Sequence, residues 1–92
     1  MNSGWEHVQT GGGDKLVKEF DRGDFKGAVA FLNAILPVAE AAGHHPDIRI
    51  SWKTVEVTLT THSEGRVTDK DHALAEQIDG VASAAVSTES SA

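Results

Sequence analysis

The sequence predicts an α+β fold, a four-stranded antiparallel sheet with helices packed on one face, and two observations carry that expectation. The hydropathy period switches from helical to strand-like at His44-His45-Pro46, and the segments run strand, strand, helix, strand, strand, helix. Strands that come in adjacent pairs form antiparallel hairpins, and a helix after each pair covers the apolar face they share. The first pair lies between Trp5 and Phe20, where two short segments flank the glycine triplet 11–13 and Asp14, and Leu16, Val17 and Phe20 supply the apolar residues. From Asp24 onward Phe25, Val29, Leu32, Leu36 and Ala39 recur at helical spacing, with Ala28, Ile35 and Ala42 widening the stripe. Asp24 is suited to cap this helix and Gly43 to end it. Pro37 cannot donate to the carbonyl four residues back, so a bend or local loosening is expected there.

Ile48 and Ile50 then alternate with Arg49 and Ser51, and Val55, Val57 and Leu59 with Thr54, Glu56, Thr58 and Thr60, which predicts two strands with one apolar face each. If the second strand continues, His62 shares the face of Thr58 and Thr60, away from the apolar side. After the turn at Ser63, Glu64 and Gly65, the spacing of Thr68 to Asp71 resembles a capping box, and Leu74, Ile78, Val81 and Ala85 give the second helix its stripe. The end of the chain is Ser/Ala-rich, and residues 86–92 are expected to form a disordered tail on a single domain, 1–92.

A chain of 92 residues holds one core, and at that size burial is limited, so oligomerisation is expected. There is no cysteine, which excludes disulfides, thiolate metal sites and a cysteine nucleophile. Fourteen acidic against eight basic residues give a formal charge of −6, which repels nucleic-acid phosphates and argues against direct nucleic-acid binding. The start has neither the basic nor the apolar region of a signal peptide and no apolar run approaches a membrane span, so no membrane association and a cytoplasmic location are expected. The glycine triplet lacks the ending and context of a phosphate loop and reads as a turn.

Five residues able to carry chemistry sit at element ends: Glu40, His44 and His45 after the first helix, His62 after a strand, and Asp71 in the first turn of the second helix. Imidazoles exchange protons near neutral pH, so acid-base work is their natural use. An isolated His-His pair is nonetheless more often a solvated polar loop. A divalent metal is the competing use, because imidazole suits zinc, copper, iron and nickel. Adjacent His44 and His45 do not easily aim at one ion, and no metal is expected. Trp52 reads either as a stacking platform or as packing, Trp5 and Phe31 as core or interface, and His7 and His72 as solvated surface.

The wider pattern resembles the pterin-4a-carbinolamine dehydratases. It comprises Glu40, His44-His45-Pro46-Asp47, Thr61-His62-Ser63 and Thr68-x-x-Asp71, with Phe20, Asp24-Phe25 and Phe31 extending it over roughly residues 5–80. The resemblance implies dehydration of 4a-hydroxytetrahydropterin to quinonoid dihydropterin, the step that recycles the cofactor of aromatic amino-acid hydroxylases, with no cofactor of its own. It implies catalysis by His44, His45 and His62, with His45 and His62 as the acid-base pair and His44 positioning the pterin and sharing in proton transfer. Glu40 and Asp71 would orient imidazoles, and Thr60, Thr61, Pro46 and Trp52 would bind substrate. Expected partners are the pterin, further copies in a homodimer or homotetramer, and a pterin-dependent hydroxylase. Three departures stand out: the family's N-terminal helix is missing, Arg66 follows Gly65 where two glycines are usual, and Trp52 replaces a tyrosine. Relatives used as non-catalytic binding or assembly modules supply the alternative function, against which the intact histidines count.

Overall fold

The computed structural model describes the backbone of residues 4–91, and the side chains of that range apart from Thr10 and 84–91. The elements are β1 (Glu6–Thr10), β2 (Gly13–Asp21), α1 (Phe25–Ala42), β3 (Asp47–Ser51), β4 (Thr54–Leu59) and α2 (Asp69–Ser91). They form the expected α+β arrangement: one sheet of order β1-β2-β4-β3, antiparallel throughout. The register follows the apolar alternation. Leu16 faces Leu59 and Phe20 faces Val55 across β2 and β4, while Ile48 and Ile50 face Val57 and Val55 across β3 and β4. This gathers the apolar side chains on the face that the helices cover. Phe20 meets Phe31 of α1 with ring centroids 4.9 Å apart, and Trp5 closes edge-on over Phe20 at 6.0 Å. Trp5 is further fixed by its indole N–H, which donates to Asp79 of α2 at 3.0 Å.

Both ends of α1 form as the sequence predicts. The Asp24 carboxylate accepts from the Gly27 amide at 2.7 Å, and Gly43 adopts φ 63. Behind it, the Gly43 amide donates to the Glu40 carbonyl and the His44 amide to the Ala39 carbonyl, the paired bonds of a Schellman ending. The apolar face of α1 differs from the expected one. Gly27, Ala28, Phe31, Ile35 and Ala39 are buried, whereas Phe25 is 57% and Leu36 58% exposed, Val29 is exposed and Leu32 half-buried. The reason is close approach. At Gly27 a Cβ would lie 2.3 Å from the Arg22 carbonyl oxygen, so glycine lets the first turn of the helix close against the β2–α1 connection, which sets the side that carries Ala28, Phe31 and Ile35 toward the core.

By length and composition α1 is apolar enough to cross a membrane, which corrects the expectation that no such run exists; here it is the core helix, with its buried face against β3 and β4. The helix continues through Pro37, whose missing bond falls between the exposed Pro37 and Asn33. In α2, Leu74, Ala75 and Ile78 are buried and Val81 half-buried. The backbone of α2 runs to Ser91, into the stretch expected to form the tail, 86–92. The side chains of Ala85 and of that stretch, and Ala92 altogether, lie outside the described residues.

Candidate active site

The antiparallel β3–β4 hairpin places the start of β3 and the end of β4 at the same end of the sheet. The Schellman turn delivers His44, His45 and Pro46 to that end, and the segment after Leu59 carries His62 there. Each of the three imidazoles meets its own carboxylate. The His44 Nε2 is 2.5 Å from Asp71 Oδ1, His45 Nε2 is 2.8 Å from Glu40 Oε2, and His62 Nε2 is 4.0 Å from Asp47 Oδ2. Among the described residues none of the three imidazoles hydrogen-bonds another.

These pairs differ sharply in burial. The His44 and Asp71 side chains are 14% and 0% exposed, against 62% and 63% for His45 and Glu40 and 78% and 72% for His62 and Asp47. Asp71 is the anchor. As the third residue of α2 it accepts from the Thr68 amide at 2.9 Å, which forms one half of the capping box that the sequence suggests. The other half is diverted. The Thr68 hydroxyl lies 2.7 Å from the Thr61 hydroxyl, and Thr61 in turn donates to Asp71 Oδ2 at 2.8 Å. Burial alone would raise the Asp71 carboxyl, but the hydrogen bonds from His44, the Thr68 amide and Thr61 outweigh it and hold the group below its ordinary range. A buried carboxylate that accepts the Nε2 proton of His44 fixes the ring's tautomer and leaves Nδ1 as the acceptor.

Two cavities flank this end of the sheet. One, of about 290 Å³, is lined by Thr60, His62 and the β1–β2 turn around Gly12, Gly13 and Lys15. The other, of about 330 Å³, is apolar and runs beside His45 and Pro46 along Leu32, Leu36 and Ile48. Residues expected to bind substrate are placed unequally. Pro46 lines the second cavity and Thr60 the first, although the Thr60 hydroxyl donates to the Asp14 carbonyl at 2.9 Å. Thr61 is turned inward: only 5% exposed, its hydroxyl donates to Asp71. Trp52 occupies the two-residue turn at the other end of the hairpin, with φ 56, 68% exposure and Lys53 over its ring at 5.5 Å. At about 3.3 Å per strand residue that is roughly 16 Å from Asp47. Among the described residues no group of three or more His, Cys, Asp or Glu is placed to hold a metal ion.

Sequence reasoning missed Asp47 as the neighbour of His62 and Thr68 as a partner of Thr61. The first was readable, because Asp47 pairs with Thr58 and strand parity puts both on the face of His62. The second had no periodic signal.

An α+β domain with imidazole–carboxylate pairs at one end of its sheet is of the class suited to proton-transfer catalysis. A sequence profile of the family described as Pterin 4 alpha carbinolamine dehydratase matches residues 1–81. Two provisionally named pterin-4-alpha-carbinolamine dehydratases are similar to it. That of Thermosynechococcus vestitus is 48% identical over 86% of this chain and 79% of its own, and that of a Roseiflexus species 46% over 86% and 81%. Among solved structures, a transcriptional coactivator/pterin dehydratase from Brucella melitensis aligns with a TM-score of 0.78 at 32% identity, covering 87% of this chain and 83% of that one. A pterin dehydratase-like protein described as a RuBisCO assembly factor in the alpha-carboxysome aligns with a TM-score of 0.72 at 25% identity, covering 89% and 94%. The chain belongs to the pterin-4-alpha-carbinolamine dehydratase family, a family of hydro-lyases.

Proposed function

We propose that the chain dehydrates 4a-hydroxytetrahydropterin to quinonoid dihydropterin and water, in recycling of the tetrahydropterin cofactor. The reading rests on the three imidazole–carboxylate pairs gathered at one end of the sheet in a member of this family. The reaction breaks the C4a–O bond and removes the N5 proton as the C4a–N5 double bond forms, so one group accepts a proton and another supplies one. Such a pair contributes about 10²- to 10⁴-fold. His44, with Nε2–H held by Asp71, offers Nδ1 as the base. His62, exposed beside Asp47, is suited to protonate the departing hydroxyl, and His45 with Glu40 to hold the pterin edge. This gives His44 the role that the sequence pattern alone gave His45, because only His44 has a buried carboxylate behind it. The test is the loss of 4a-hydroxytetrahydropterin, followed by absorbance in a coupled hydroxylase assay. The wild type accelerates it, and His62→Ala lowers the rate by about 10- to 100-fold, less than the full acid-base contribution because water reaches so exposed a position. A folded wild type that gives no acceleration over buffer overturns the reading.

The same reading includes a homodimer or homotetramer. Support comes from α1, whose exposed Phe25, Val29 and Leu36 and half-buried Leu32 form one stripe that a second copy would cover. Leu36→Glu is expected to reduce the mass measured by sedimentation equilibrium, and an unchanged mass sets this face aside. A hydroxylase partner and a cytoplasmic location belong to this reading through the chemistry of the substrate, not through any feature of the fold. A non-catalytic assembly role is the second reading, favoured by the likeness to the RuBisCO assembly factor; an inactive wild type in the assay above would move the assignment there.

A further inference from the structure

Among the described residues the His62 side chain makes one polar approach, the 4.0 Å contact to an exposed carboxylate, so its position is set by the backbone that carries it. That backbone is a closed loop. Thr61 bridges to Arg66, with the Thr61 amide donating to the Arg66 carbonyl at 3.1 Å, and the Glu64 and Gly65 amides donate back to the Thr61 carbonyl at 3.0 and 2.9 Å. Its two flanks converge on one residue of β2. The Thr60 hydroxyl donates to the Asp14 carbonyl at 2.9 Å, and the Val67 amide donates to the Asp14 carboxylate at 2.7 Å. The second carboxylate oxygen of Asp14 is held by His7 Nε2 at 2.7 Å, from the neighbouring strand β1. Next to it, Gly13 packs so closely on Gly65 that a Cβ would lie 2.0 Å from the Gly65 carbonyl oxygen. The β1–β2 turn is therefore the seat of the loop, and Asp14 is the residue that grips both flanks.

We infer that Asp14 is a positioning residue for His62, acting through the backbone of residues 60–67, with His7 as an outer support of its carboxylate. This rests on the proposed role of His62 for its effect on turnover, but its effect on the loop does not. A strand-borne clamp holds the loop well, because β2 is paired with β1 at Asp14 and with β4 from Leu16 onward, and is more rigid than the loop it seats. Misplacement of a catalytic group by about 1 Å can cost 10²-fold in rate, so the clamp governs kcat rather than substrate binding.

The experiment compares Asp14→Ala, Asp14→Asn and His7→Ala by amide hydrogen exchange at Gly65 and Val67 and by steady-state kinetics. Asp14→Ala is expected to lower Val67 protection and kcat by about tenfold each, with KM changed by less than about twofold. Asp14→Asn, which keeps an acceptor for the Val67 amide, restores most of both. His7→Ala leaves Val67 protection within about twofold of the wild type, since the amide bond to Asp14 remains. Thr60→Val, which cuts only the carbonyl contact, carries the same expectation at smaller size and decides the matter if Asp14→Ala does not fold. Unchanged Val67 protection in Asp14→Ala, or in Thr60→Val where that stands in, overturns the inference. So does lost protection without loss of kcat in an active enzyme. If the wild type shows no dehydration, the functional reading falls while the exchange data still decide the clamp.

Discussion

Asp71→Asn is expected to lower the dehydration rate by about 10²- to 10³-fold while the protein stays folded. The carboxylate accepts three hydrogen bonds, from His44, the Thr61 hydroxyl and the Thr68 amide. An amide offers one acceptor oxygen and one donor group, so it cannot accept from all three. If its oxygen faces Thr68, its N–H₂ meets His44 and drives the ring to the opposite tautomer; if it faces His44, the helix cap is left without an acceptor. The first arrangement keeps Thr61 and Thr68 paired, because both bond the same oxygen, but holds His44 in the wrong tautomer; the second leaves buried donors unpaired, at a cost of about 1–3 kcal/mol, which a domain of this size tolerates. The pH dependence carries a second signature. The Asp71 carboxyl is held below its ordinary value of 3.8, so its contribution to stability is complete above about pH 4 and is lost as pH falls through the lower folded value. The variant therefore melts lower than wild type at pH 7, and the gap closes toward pH 3. Wild-type turnover by Asp71→Asn, within about threefold, would remove Asp71 from the mechanism.

Legibility in the sequence followed period and spacing. Strand alternation gave β3 and β4 with their correct faces, because a one-residue slip would expose Val55, Val57 and Leu59. The caps of α1 were readable at Asp24 and Gly43, since each is a local backbone requirement. The buried face of α1 was not readable, because that helix carries apolar residues on two sides and only the sheet decides which side it takes. Phe25, Val29, Leu32 and Leu36 have the better helical spacing, yet the sheet accepts the side with Gly27 and Ala28. At the site, the residue types were visible but their pairing was not. His44 and Asp71 are 27 positions apart, and their bond depends on how α1 ends against the start of α2. The diversion of the Thr68 hydroxyl to Thr61, and the grip of Asp14 on Val67, likewise join segments that no periodicity relates.

The two faces of α1 make opposite predictions for two phenylalanines of one helix. Phe31 has no exposed surface, its ring lies 4.9 Å from that of Phe20, and the Arg22 guanidinium carbon sits 4.7 Å from its centroid. Phe31→Ala leaves a cavity where helix meets sheet and is expected to cost about 3–5 kcal/mol. Against a typical total of roughly 0.05–0.15 kcal/mol per residue, that is a fifth or more of the stability, or roughly 12–40 °C in melting temperature. Arg22 compounds the loss, because its Nε is buried with no hydrogen-bond partner among the described residues and the aromatic face is the neighbour that offsets its burial. Phe25, 57% exposed, is expected to matter by about 0.5 kcal/mol or less to the isolated chain. If copies associate through the exposed stripe, Phe25→Ala instead lowers the melting temperature in a way that grows with protein concentration, since association stabilises the folded state by mass action. Thermal melts of both variants across a range of concentrations separate the faces. A large, concentration-independent loss in Phe31→Ala marks the core. The same behaviour in Phe25→Ala would instead place the Phe25 side of the helix at the contact with the sheet.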